Sequence, residues 1–168
     1  MKIRSDEERR ADAPATPPKV LILGVGNLLR GDDGFGVHVI HSLADHAFPA
    51  NVRICEAGVV SHQFIPLFRE IDRLIVVDAV EAGDLPGSIF RFAPAAMAFD
   101  SGQMVSLHQI GLIDVLRMAA WSGAEPETVV IGVQPEDAAV WSLELSPEVS
   151  AAIPKVKALI MEEVDRGW

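Results

Sequence analysis

From Val20 onward the chain alternates short, nearly continuous apolar runs with longer segments in which apolar residues recur every three or four positions. The first run, "VLILGVG", has no polar alternation and reads as a strand covered on both faces. After the acidic turn that follows it, Val37, Ile40, Leu43 and Ala44 fall at helical spacing and predict a helix over residues 34–46. "VRICEAG" (52–58) predicts a second strand, and "RLIVVDAV" (73–80) the clearest strand of the chain. Between them "SHQFIPLFRE" predicts a short helix with Ser61 as its N-cap and Pro66 in its first turn or at a kink.

The second half continues the alternation. "GDLPGSIFRFAP" supplies turn residues and then a strand near 88–93. The polar loop "FDSGQMVSLHQ" leads into a helix ending near Trp121, with Leu112, Val115, Leu116 and Ala119 on one face. "TVVIGVQPED" predicts a last buried strand. "SPEVSAAIPKVKALIMEEV" predicts a final helix capped by Ser146, with Pro147 at its first position and a stripe of Val149, Ile153, Val156, Leu159 and Ile160. This order predicts an α/β fold, a three-layer α/β/α sandwich with a mostly parallel twisted central sheet. No repeat or internal linker follows residue 19, so residues 19–168 are expected to form one domain.

Composition narrows the picture. A chain of 168 residues with 49% apolar content suits one well-buried domain. Residues 1–18, "MKIRSDEERRADAPATPP", mix both signs of charge with prolines and carry no apolar run, which predicts a disordered tail rather than a secretion signal. No apolar stretch approaches the roughly 18 residues of a membrane helix, so no membrane insertion is expected and the location predicted is cytoplasmic. The 14 basic and 24 acidic side chains give a formal charge of -10, which argues against a nucleic-acid groove. The single cysteine, Cys55, excludes an internal disulfide and a zinc site built from several thiolates, and reads as a small apolar filler.

Ligands of open parallel sheets bind beyond the carboxyl ends of the strands. There the sequence puts Asn27, Asp32 and Asp33 after the first strand, Glu56 at the end of the second and Asp78 at the end of the third. His108 lies in the loop before the long helix, and Gln134 and Glu136 follow the last strand. Either Asp32 or Asp33 can cap the helix that starts at Gly34. Asp78, after "LIVV", enters apolar layers unless it meets a cation, a donor or solvent. His108, in the company of two carboxylates, is a candidate metal ligand. His38 and His41 share a helix face, but no adjacent acid or cysteine completes a zinc signature, and they read as solvated or half-buried.

"GVGNLLRGDDG" fits a dinucleotide fingerprint poorly, because Leu29 stands where a third small residue governs helix-to-strand packing. A phospho-accepting receiver domain fits poorly too, because "GVQPED" stands where a lysine belongs. No Ser-His-Asp or Cys-His constellation, no His-Glu-x-x-His motif and no Asp-Thr-Gly or Asp-Ser-Gly signature is present.

The series "LGVGNLLRGDDGFGVHVI", "VVDAV", "SLHQIGLIDVL", and "VIGVQPE" with "LELSPEV" resembles the hydrogenase maturation endopeptidases across residues 20–160. The resemblance implies a hydrolase, grouped with the aspartic peptidases, that removes a C-terminal extension from the large-subunit precursor of a nickel-iron hydrogenase after nickel insertion. It implies a metal-contacting and catalytic set of Asp33, Asp78 and His108, acting by metal polarisation or by carboxylate-assisted attack of water. Many relatives have Glu at Asp33, whose reach is shorter by about 1.5 Å. Glu56, where relatives often have Asp, and Asn27 are implied to help bind substrate. Gly24, Gly26 and Asn27 are expected to shape the turn that positions Asp33. The nickel would arrive with the precursor, its partner, and no tightly bound organic cofactor is expected. A non-enzymatic nickel-checking chaperone for the same precursor is the alternative, using the same three ligands.

Overall fold

Five apolar runs become the strands of one sheet in the computed structural model, which describes residues 17–59, 62–97 and 107–166. They are β1 (Val20–Val25), β2 (Val52–Gly58), β3 (Arg73–Ala79), β4 (Ile89–Phe92) and β5 (Glu127–Val133). The spatial order is β2-β1-β3-β5-β4, with β1, β2, β3 and β5 parallel and β4 antiparallel on the β5 edge. Every residue of β1 and β3 is buried, which is why these two runs show no polar alternation. β2 and β4 lie at the edges and keep exposed positions.

The helices are α1 (Phe35–Ser42), α2 (Ile65–Phe68), α3 (Leu107–Trp121), α4 (Pro147–Ser150) and α5 (Ile153–Asp165). On one face of the sheet Val20, Ile22, Ile75 and Val77 pack with Phe35, Val39 and Ile40 of α1 and with Val156 and Ile160 of α5. On the other, Leu21, Leu23, Leu74 and Val76 pack with Phe68, Leu112, Val115 and Ala119. The expected α/β/α sandwich is thus built on the expected apolar stripes. Among the described residues no helix is long and apolar enough to cross a membrane.

Three details differ from the sequence reading. The helix expected over 34–46 begins as a 3-10 turn, Gly31–Gly34, and ends at Ser42, leaving Ala44 exposed. The single C-terminal helix is two, because Pro154 has no N–H to donate back to Ser150 and instead sits in the first turn of α5. Ser146 stands at the N-cap of α4 but makes no capping bond with its side chain. The proposed cap at Ser61 and residues 1–16 of the expected tail lie outside the described residues, whereas the Pro18 carbonyl accepts a 2.7 Å bond from Asn51 Nδ2.

At the amino edge of the sheet, Arg91 grips the buried Glu163 carboxylate through Nε at 2.6 Å and Nη2 at 3.0 Å. Arg166 approaches the same carboxylate at 3.3 Å and buried Arg73 at 3.9 Å. The Arg91 bonds hold the Glu163 carboxyl below its ordinary range.

At the carboxyl edge, α1 starts almost in contact with the sheet. A β-carbon on Gly36 would run into the carbonyl oxygens of Val77 and Val25, so only glycine lets this helix sit across β1 and β3. Gly36→Ala should therefore cost about 2–3 kcal/mol or more, lowering the melting temperature by roughly 5–10 °C. Gly58→Ala, at φ 57 with nothing within 4 Å of the new methyl, should cost only backbone strain, about 1 kcal/mol. Thermal melts of the two variants followed by circular dichroism check the ranking.

Candidate active site

The site is built by the turn that leaves β1. Gly26 adopts φ 135, and a β-carbon there would collide with the Asp33 carbonyl oxygen. The chain doubles back so closely that the Asn27 N–H donates to that carbonyl at 3.2 Å. Asn27 Oδ1 accepts the Leu29 N–H at 2.9 Å, and the Arg30 N–H closes the turn on the Asn27 carbonyl at 3.0 Å. Gly26 and Asn27 thus shape the turn as expected. Gly24 acts differently, since its missing side chain makes room for Gly36 and Ile40 of α1.

The paired acids of the turn are both buried, Asp32 at 2% exposure and Asp33 at 8%. Neither is the N-cap of α1: that position is Gly34, with no side-chain bond. Asp32 reaches across to the segment after β5. Its Oδ2 accepts the Glu136 N–H at 2.9 Å and the Ser146 hydroxyl at 2.9 Å, and its Oδ1 accepts the Ser146 N–H at 2.7 Å. Three donors thus satisfy the oxygens of a carboxylate that has lost its contact with solvent. This explains the idle cap at Ser146, whose hydroxyl goes to Asp32 instead.

Asp33 belongs to the 3-10 turn that lies against β3. Asp78, 1% exposed, is the penultimate residue of β3, and its Oδ1 accepts the Ala79 N–H at 2.9 Å. The β1–β3 register, Gly24 with Val77, brings Asp78 level with the point where β1 opens into the turn. By strand alternation Asp78 shares the face of Leu74 and Val76, the side on which α3 packs. Gly132 is its partner on β5 and presents no side chain opposite it.

His108, expected in a loop, is the second residue of α3. α3 ends close to the amino end of β5, so its first turn lies toward the carboxyl edge, on the Asp78 face. The imidazole itself is outside the described side chains. Among the described residues no group of three or more His, Cys, Asp or Glu side chains is arranged to hold a metal ion.

Glu56 projects from edge strand β2 and accepts or shares a proton with His41 Nε2 at 2.8 Å, both side chains about half exposed. Val52 and Ile54 pack in the α1 cluster, so Glu56 occupies the α1 face of the sheet and Asp78 the opposite one. His38 is half-buried, and desolvation, then His41, lowers its pKa, holding the ring neutral near pH 7. Cys55 is partly buried with its thiol pKa raised by burial, in keeping with a filler rather than a nucleophile. Gln134 is structural: its Oε1 accepts the Ala82 and Asp84 N–H groups at 2.8 and 3.3 Å and holds the loop after β3. Beside the turn lies a cavity of about 260 Å³ whose walls include Asp32, Glu136, Asp137, Ser142, Glu144 and Ser146.

Comparison with known proteins gives consistent matches. Residues 37–163 match the family model described as hydrogenase maturation protease. The hydrogenase expression/formation protein HupD of Rhodobacter capsulatus is 37% identical over 155 residues, 90% of this chain and 73% of that protein. HoxM of Azotobacter vinelandii, with the same description, is 38% identical over 156 residues, 90% of this chain and 75% of that protein. Among solved structures, the hydrogenase maturating endopeptidase HybD from E. coli superposes with a TM-score of 0.74 at 29% identity, covering 86% of this chain and 93% of that one.

The Asp32 bonds make a local prediction. Ser146→Ala removes one of three donors to a buried carboxylate and should cost about 1–2 kcal/mol, a drop of roughly 2–8 °C in melting temperature. Asp32→Ala strands the Glu136 and Ser146 N–H groups together and should cost more, about 3 kcal/mol. Thermal melts of the two variants and of the double variant measure it, and the double should be no worse than Asp32→Ala alone.

Proposed function

The chain belongs to the hydrogenase maturation protease family, and we propose that it cuts the C-terminal extension from a nickel-iron hydrogenase large-subunit precursor once nickel has been inserted. The family makes it a hydrolase, an endopeptidase acting on a hydrogenase precursor. In this reading the enzyme acts in the cytoplasm and recognises the nickel that the precursor holds.

One observation carries the reading. Two carboxylates, Asp33 and Asp78, are buried at the carboxyl edge where β1 and β3 run side by side, and α3 brings its first turn to the same edge and face as Asp78. Two carboxylates at neighbouring strand ends set oxygen ligands at one edge for a metal cation carried in by the substrate. Asp33, Asp78 and His108 would supply two oxygens and one nitrogen, an incomplete set that leaves coordination positions for the cysteines of the precursor. Nickel is then part of the substrate, and the protease reads it.

Cleavage needs an attacking water and a proton for the leaving amine. A carboxylate of Asp33 or Asp78 takes a proton as the water oxygen bonds to the scissile carbonyl carbon, and returns one to nitrogen as the C–N bond breaks. Burial of both acids keeps bulk water from competing with the positioned one. Asn27, exposed enough to be reached, and Glu56 on the β2 edge would help hold the incoming segment.

If the three side chains form the set, Asp78→Ala and His108→Ala should abolish precursor processing while the proteins remain folded. A gel shift of the large subunit, read beside circular dichroism, tests this, and full activity in either variant would remove that residue from the set. The nickel reading makes a sharper forecast. Nickel-loaded precursor should be cut and metal-free precursor of identical sequence should not, with at least about a hundredfold difference in rate for a contact of a few kcal/mol. Mass spectrometry under anaerobic conditions compares the two, and efficient cutting of the metal-free form would leave a peptidase that reads sequence alone.

A further inference from the structure

The loop between β5 and α4 presents large apolar side chains to solvent: Trp141 is 78% exposed, Leu143 66% and Val140 50%. Across from them Leu29, in the turn that carries Asp33, is 54% exposed. These residues are not scattered. The Gly31 N–H donates to the Ser142 carbonyl at 2.8 Å, and the Ser142 N–H donates to the Leu29 carbonyl at 3.2 Å, forming a parallel bridge between Arg30 and Ser142. The Ser142 hydroxyl donates to the Glu144 carbonyl at 3.0 Å and lies 2.9 Å from the Glu144 N–H, which turns the loop outward again. Asp32 fastens both ends of the loop, at Glu136 and at Ser146.

A loop held at so many points shows its apolar groups in a fixed array, so little conformational entropy is lost when something covers them. Contiguous exposed apolar surface on a soluble domain marks an interaction site, and tryptophan is the side chain most often found at the energetic centre of one. Here the array directly adjoins the turn that bears Asp33. The neighbouring cavity of about 260 Å³ supplies the electrostatics: its charged lining residues, Asp32, Glu136, Asp137 and Glu144, are all acidic. A second copy of the chain, itself at -10, is repelled by such a rim, whereas a basic segment is drawn to it.

We propose that Leu29, Val140, Trp141 and Leu143 form the docking surface for the hydrogenase large-subunit precursor, engaging an apolar segment of it flanked by basic side chains. This rests on the processing role proposed above and assigns that role a place on the surface. A precursor seated on this loop lies beside Asp33, because one carboxylate, Asp32, ties the docking loop to the turn that carries its neighbour.

The test measures binding and cutting separately, using large-subunit precursor purified with its extension intact and nickel bound. Trp141→Ala and Leu29→Ser lie on opposite sides of the bridge and remove exposed side chains, so their thermal melts should match wild type. Each should weaken precursor binding by about tenfold or more and raise KM in proportion, while kcat at saturating precursor stays within about twofold. Salt should weaken wild-type binding, and Glu144→Gln should reduce that salt dependence. Unchanged affinity in both apolar variants would overturn the docking surface, as would sedimentation showing that Trp141→Ala converts a wild-type dimer to a monomer. Wild-type protein that binds this precursor, in a manner lost in Trp141→Ala, without cutting it would sink the protease reading and keep the surface. Wild-type protein that cuts it with kinetics unaltered by either variant would do the reverse.

Discussion

A single buried carboxylate holds the carboxyl edge of this molecule together. Asp32 accepts bonds from the backbone and hydroxyl of Ser146 and from the backbone of Glu136, and so joins the turn after β1 to the segment that leaves β5. Those strands are not neighbours in the sheet, since β3 lies between them. Without this clasp the long connection from β5 to α4 would be attached to the turn mainly through the Arg30–Ser142 bridge. Two adjacent acids of one turn thereby stand in different places: Asp32 builds the edge, and Asp33 lies beside it in the 3-10 turn that packs against β3.

The glycines make that division geometrically feasible. Gly26 lets the Asp33 backbone close over the end of β1, and Gly36 lets α1 settle on β1 and β3 without a side chain between them. A helix this close to the sheet keeps its preceding turn at the strand ends, where Asp78 also lies. The chemistry proposed for Asp33 and Asp78 thus depends on glycines that bring no reactive group of their own. The docking loop depends on the same clasp, which makes the approach of a large precursor and the placement of the reacting groups consequences of one set of hydrogen bonds.

Much of this was legible in the sequence. β1 and β3 were plain because strands buried on both faces cannot alternate in polarity, and the stripe Leu112, Val115, Leu116 and Ala119 marked the buried side of α3 because each of these residues packs in one core cluster. The gathering of Asp33 and Asp78 at one edge followed from the parallel topology. The function of Asp32 was not legible, because its partners lie 104 and 114 positions further along and only the folded sheet brings them near. The same long range hid why Ser146 fails to cap α4. Pro154 was read inside a continuous stripe, although its missing N–H divides the helix. Gly36 carried a weak signal in "GFG", and its close approach to two carbonyls depends on β3 as well as β1. Composition left Trp141 open between packing and loop, and the structure puts it in a loop at 78% exposure.

The most direct measurement sets Asp32→Asn beside Asp33→Asn, scoring melting temperature and precursor-processing rate on the same preparations. Each change keeps side-chain size and removes one negative charge. The amide at position 32 turns a donor toward the groups that Asp32 accepts from, so Asp32→Asn should lose about 2 kcal/mol, near 4–8 °C in melting temperature. Asp33→Asn should melt within about 2 °C of wild type, an energy change below roughly 1 kcal/mol, and process nickel-loaded precursor at less than about a hundredth of the wild-type rate. Wild-type processing by Asp33→Asn, or a stability loss confined to position 33, would contradict the division of labour between the two acids.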